Sequence, residues 1–133
     1  MYESKMTRYK VILEYDGTDL IGWQENAQGP SVQSILCDAI FAFCGERVDI
    51  TGAGRTDAGV HAVAMVAHFD LKNSSDAETV MRALNFYLMN QPVSVLDCKI
   101  VANDFNARFD CVKRHYLYIV SILSFNRHEY KCL

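Results

Sequence analysis

Apolar residues along this chain change their spacing in a set order: alternating, helical, alternating twice, helical, then alternating again. Few folds accept that order. Arg8 to Asp16 sets Tyr9, Val11, Leu13 and Tyr15 against Lys10, Ile12 and Glu14, the period-two pattern of a half-buried strand, and stops at the turn dipeptide Asp16-Gly17. Ser31 is a helix-capping residue type, and after it Val32, Ile35, Leu36, Ala39, Ile40 and Phe43 recur at helical spacing until near Gly45. Val48 to Ala53 and Ala62 to Phe69 read as two strands flanking a glycine-bearing loop; small residues dominate the second and leave its facing open. Ser75-Asp76-Ala77-Glu78 matches a capping box and leads a second apolar stripe of Ala77, Val80, Met81, Leu84, Tyr87 and Leu88. Val93 to Val101 follows Pro92 as a strand, and Tyr116, Tyr118, Val120 and Ile122 alternate in a further one. The succession predicts an α+β protein: a ferredoxin-like split βαβ sandwich, with a mostly antiparallel sheet and two helices packed on one face.

Half of the 133 residues are hydrophobic, which suits one compact core. No apolar run approaches the ~20 residues that cross a bilayer, and the first residues lack the apolar stretch of a signal peptide, so a cytoplasmic location is expected. Cys37, Cys44, Cys98, Cys111 and Cys132 form an odd set without Cys-x-x-Cys spacing, which reads as reduced, mostly buried thiols. A net charge of −3 is awkward for a nucleic-acid binder, but its distribution is uneven. From Asn106 onward Arg108, Lys113, Arg114, Arg127 and Lys131 outnumber Asp110 and Glu129, giving that stretch +3 and residues 1–105 −6. Such a basic run also suits a plain solvated face.

The densest group of chemically unusual residues is Gly52 to His61. Glycine permits positive φ and close approach of another backbone or ligand. Asp57 and Gly59 also serve a plain hairpin connection. Arg55, two residues from Asp57, either holds that carboxylate ionised and oriented or binds phosphate, and an ionised carboxylate on a loop is a candidate nucleophile or base. A Walker loop is excluded because no Gly-Lys pair occurs, and a dinucleotide fingerprint because its third glycine comes too late and strand follows. An aspartic-protease dimer is disfavoured by polar Arg55-Thr56 before the carboxylate and Ala58 after it. His61 and His68, seven apart on a presumed strand, are expected on opposite faces, which argues against joint metal ligation. Trp23 reads first as a hydrophobic plug, with support of the neighbouring loop as the alternative. Phe105-Asn106-Ala107-Arg108-Phe109 and Arg114-His115-Tyr116-Leu117-Tyr118 interleave aromatics with arginines, suited to stacking bases and neutralising phosphates, or to core packing.

Together these segments resemble the tRNA pseudouridine synthase A family. The marks are Tyr15-Asp16-Gly17-Thr18 with Gly22-Trp23-Gln24, Ser31-Val32-Gln33, Gly54-Arg55-Thr56-Asp57-Ala58-Gly59-Val60-His61, Leu84-Asn85, Phe105-x-Ala107-Arg108-Phe109 and Arg114-x-Tyr116-x-Tyr118. The resemblance implies isomerisation of uridine to pseudouridine on the 3′ side of the tRNA anticodon stem-loop, without metal or organic cofactor, by a homodimer that places tRNA across both subunits. It makes Asp57 the catalytic aspartate, Arg55 its motif partner and the residue that displaces the target base, and Tyr116 the aromatic that packs on the base. Arg108, Lys113 and Arg114 become substrate-binding contacts to the RNA backbone. Three departures stand out. The chain is about half the usual family length; Asn106 occupies a position where histidine is common; and His115 and Leu117 replace frequent arginines. Residues 1–105 are therefore expected to form an N-terminal ferredoxin-like catalytic domain. Residues 106–133 are expected to be a basic connecting segment and extra strand leading toward a C-terminal domain outside this sequence. The alternative is a ferredoxin-like RNA-binding module without catalysis, although the aromatic RNP signature is absent.

Overall fold

The computed structural model describes residues 5–110 throughout and the backbone of 114–120 and 126–132. Its elements are β1 (Thr7–Tyr15), α1 (Val32–Cys44), β2 (Thr51–Gly52), β3 (His61–Leu71), α2 (Ala77–Tyr87), β4 (Val93–Val101), β5 (Arg114–Val120) and β6 (Asn126–Cys132). One six-stranded sheet runs β4-β1-β3-β6-β5, with β2 also paired to β3. β1 is antiparallel to both β3 and β4, and β2 is antiparallel to β3. That is the ferredoxin-like order, with each helix as a crossover. The expected α+β architecture is therefore present. Among the described residues, no helix is long and apolar enough to cross a membrane.

β1 is an interior strand between β4 and β3, and its alternation is complete: Tyr9, Val11, Leu13 and Tyr15 are all buried. They meet Phe69, Ala67, Met65 and Ala62 across β3 in register. Val32, Leu36, Ala39 and Ile40 of α1 and Val80 and Leu84 of α2 close the same core, and Tyr9 stacks on Phe69 at 5.7 Å. The register from Leu13↔Met65 to Tyr15↔Ala62 skips a residue, so β3 carries a bulge. The bulge settles a facing that small side chains leave open, and it breaks the strict alternation that sets His61 and His68 on opposite faces. Each is instead held by its own segment: His61 Nδ1 accepts from the Gly17 amide at 3.0 Å, and His68 Nδ1 from the Ala107 amide at 3.0 Å.

Two local expectations are corrected. The second helix is capped by Asp76, whose carboxylate accepts from the Thr79 amide, and not by Ser75. Ser75 is held outside the helix by Tyr9, whose buried hydroxyl accepts from the Ser75 amide and donates to the Ser75 carbonyl. Glu78 pairs with Arg82 one turn on instead of reaching back. The predicted strand 48–53 shrinks to Thr51–Gly52. The carbonyls of Val48 and Ile50 accept instead from the Cys37 thiol and the Gln33 amide of α1. β6, absent from the sequence reading, runs parallel to β3 beside His61–Ala64, so it and β2 divide one edge of that strand.

Candidate active site

Three segments build the loop that carries Asp57. The residue before it, Thr56, is buried, and its hydroxyl lies 2.8 Å from the Tyr15 hydroxyl at the end of β1. The Thr56 carbonyl accepts from the Trp23 amide at 3.0 Å, Gly22 forms an antiparallel bridge with Asp57, and the Gly59 amide donates to the Leu20 carbonyl. The carbonyls of Gly22 and Trp23 in turn accept from the Val32 and Gln33 amides, satisfying donors that a helix start leaves unpaired. The loop is thus tied through residues 20–23 to the N-terminus of α1. Asp57 itself is exposed. Alternation across the Gly22–Asp57 bridge thus buries Thr56 and turns its neighbour to solvent.

Gly22 combines a close backbone approach with a left-handed conformation. Its φ is +115°, and a Cβ there would stand 2.4 Å from the Thr56 carbonyl oxygen, so only glycine lets the two backbones meet. Trp23 is 2% exposed and fills the space under the loop. The plug and support readings of residues 15–24 therefore coincide: burying the indole is what carries the backbone bonds to Thr56.

Arg55 is exposed and lines an open groove of about 610 Å³ together with Trp23, Gln33, Gly52, Gly54 and Arg108. Arg55 and Asp57, two residues apart, make no salt bridge with each other. Of the alternatives open for Arg55, the geometry thus favours a guanidinium offered to the groove over one that holds the carboxylate. Arg108 reaches the same groove from the turn 105–110. The Asn106 side chain accepts there from the Arg108 and Phe109 amides, and the Asp110 amide donates to the Asn106 carbonyl. Asn106 thus orders the turn that presents Arg108. Sequence reading quoted Thr56 and Gln33 among the marks of the resemblance but gave neither a role: Thr56 was treated as a polar lead-in, and Gln33 sits in an amphipathic helix. A threonine flanked by two charged residues yet two positions from glycine was the one available signal for the first.

Arg114 and Tyr116 lie on β5, where Tyr116 pairs with Tyr130 of β6, itself paired with Ala62. Two strand spacings place the backbone of Tyr116 about 10 Å from that of Ala62, just beyond the loop. Lys113 lies outside the described residues. Thiol chemistry has no candidate among Cys37 and Cys98: burial pushes their thiols up to about 11 and about 12, leaving both protonated near neutrality.

The ferredoxin-like domain thus presents a solvent-facing carboxylate two residues from Arg55, which lines a groove with Arg108; Asp57 itself is not part of that lining. The chain belongs to the tRNA pseudouridine synthase family, whose sequence model matches residues 11–110. It is 52% identical over 116 residues to a tRNA pseudouridine synthase A of Rhodopseudomonas palustris strain BisA53, covering 87% of this chain and 47% of the relative. It is 54% identical over 113 residues to the protein of that name from Rhodospirillum centenum, covering 85% and 46%. The chain thus spans about half the length of the curated relatives it matches.

Proposed function

We propose that this chain supplies the aspartate-bearing half of an enzyme that isomerises uridine to pseudouridine in the anticodon stem-loop of tRNA. The observation that carries the reading is the contrast between Thr56, buried and bonded to Tyr15, and Asp57, exposed immediately beside it. A carboxylate held this way is accessible to a nucleoside while its backbone is fixed from two sides. In the reaction the N1–C1′ bond breaks, the uracil turns while bound, and C5 joins C1′. Substrate and product are isomers, so no external electron source is needed. Asp57 acts either by adding to C6 of the base or at the ribose, through C1′ or a 2′ proton.

The target nucleotide must leave its stem, at a cost of a few kcal/mol. Arg55 at the lip of the groove suits the role of filling the gap. Arg108, Lys113 and Arg114 supply phosphate contacts, the salt-sensitive and sequence-independent part of affinity, and Tyr116 packs on the base. Residues 106–133 connect this domain to the further length its relatives have. The working enzyme is a homodimer acting in the cytoplasm.

The test is to map pseudouridine in tRNA from cells with the intact gene, without it, and with Asp57→Asn. Turnover by the Asn variant falls roughly a thousandfold, ~4 kcal/mol of transition-state stabilisation, while tRNA binding persists. Near-normal turnover would remove Asp57 from the mechanism. Unchanged pseudouridine without the gene, alongside retained tRNA binding, would leave a binding module.

A further inference from the structure

The groove holds two arginines that arrive by different routes, and the route of Arg108 runs over a buried histidine. His68, only 6% exposed, lies on the sheet face away from the helices, under the turn 105–110. The Phe105 ring stands edge-on to its imidazole at 5.9 Å. Ala107, 1% exposed, donates its amide to His68 Nδ1 at 3.0 Å. A backbone N–H can only donate, so Nδ1 carries the lone pair and the ring proton sits on Nε2. The next residue is Arg108.

We propose that His68, in its uncharged Nε2–H form, is the positioning residue that docks the 105–110 turn on the sheet and thereby holds Arg108 at the RNA groove. The inference rests on the RNA-binding reading of that groove. A second tie, from Arg8 to the Phe105 carbonyl, anchors the start of the turn, and Arg8 is itself paired with Asp70. Of the two, Arg8 stays charged at any working pH, whereas His68 can take up a proton at the ring nitrogen that makes the tie. Protonation converts Nδ1 to a donor, and the Ala107 amide loses its acceptor.

The charged groups around the imidazole act in both directions. Burial is the largest influence and favours the neutral ring, as does Arg8; Asp70 and Asp110 oppose. Lys10, paired with His68 in register on β1, places its ammonium 5.5 Å from the Phe105 ring and adds positive charge nearby. Thr51, in register on β2, is uncharged.

Two measurements test the proposal in the full chain. In hydrogen exchange, Ala107 amide protection falls as pH drops through the His68 titration, and becomes independent of that titration in His68→Asn, whose carbonyl oxygen accepts without titrating. In binding to transcribed tRNA, His68→Leu and Arg108→Ala each weaken affinity about tenfold and reduce the salt slope by about one unit, the value of one phosphate contact. The double variant is no weaker than either single one, and His68→Asn restores binding. Additive losses, no rescue by asparagine, or Ala107 exchange that ignores His68 would each overturn the proposal alone. Absence of tRNA binding by the wild-type chain would overturn the RNA reading and this proposal with it.

Discussion

The Tyr15 hydroxyl meets the Thr56 hydroxyl at 2.8 Å in the interior, joining the last residue of β1 to the residue that precedes Asp57. The loop is therefore referenced to an interior strand of the sheet, and its position is set by packing at β1 as well as by its own turn.

Breaking that link without changing shape is possible at either end. Tyr15→Phe and Thr56→Val each cost about 1 kcal/mol in urea unfolding, and the double variant costs less than the sum of the two, because both single changes remove the same hydroxyl–hydroxyl bond. Fully additive losses would mean that the two hydroxyls are stabilised independently.

Gly22 and Gly45 both have positive φ, but only Gly22 faces another backbone. A Cβ at Gly45 meets nothing within 4 Å, whereas one at Gly22 stands 2.4 Å from the Thr56 carbonyl oxygen. Gly45→Ala therefore pays only the conformational penalty of about 1 kcal/mol, while Gly22→Ala adds a clash that displaces the Asp57 loop and costs at least about 2 kcal/mol more. Equal midpoints in denaturant for the two variants would refute the close approach at Gly22.

Acid should weaken the fold in two separate windows. Burial, and then Arg8, hold His68 below its ordinary 6.5, so below that pH the unfolded chain binds a proton the folded chain refuses. Stability falls from there toward the folded value. Asp70 acts lower. Hydrogen bonding to Arg8 holds its carboxyl below the ordinary 3.8, so its contribution is complete above that value and lost as pH falls through the folded one. Urea unfolding followed from roughly pH 8 to pH 3 should show both declines, with His68→Asn abolishing the upper and Asp70→Asn reducing the lower, to which Asp76 also contributes. A wild-type profile flat above pH 4 would contradict the His68 assignment.

Much of the frame was legible without coordinates, and the reason is periodicity. β1 and β4 occupy the stretches their alternation marks, and α1 runs from its serine cap to the glycine that ends it, because period and capping are local properties of a sequence. The Asp57 loop stood out for the same reason: charged residues among glycines between two apolar strands have few bland explanations. What stayed hidden depended on pairs distant in the chain. A bulge in β3 arises from register with β1; the cap of α2 moved one residue because Tyr9 claims Ser75. β2 was shortened when α1 side chains took its carbonyls.

The chain's residue order by itself determined the class of fold, the element succession and the carboxylate at position 57, since these follow from spacing and residue type. Only the folded chain decided that Thr56 is buried while Asp57 is exposed, that Arg55 and Arg108 share one groove, and that His68 lies beneath the turn leading to Arg108. Those are juxtapositions created by strand pairing and burial across many intervening residues, and no local pattern encodes them.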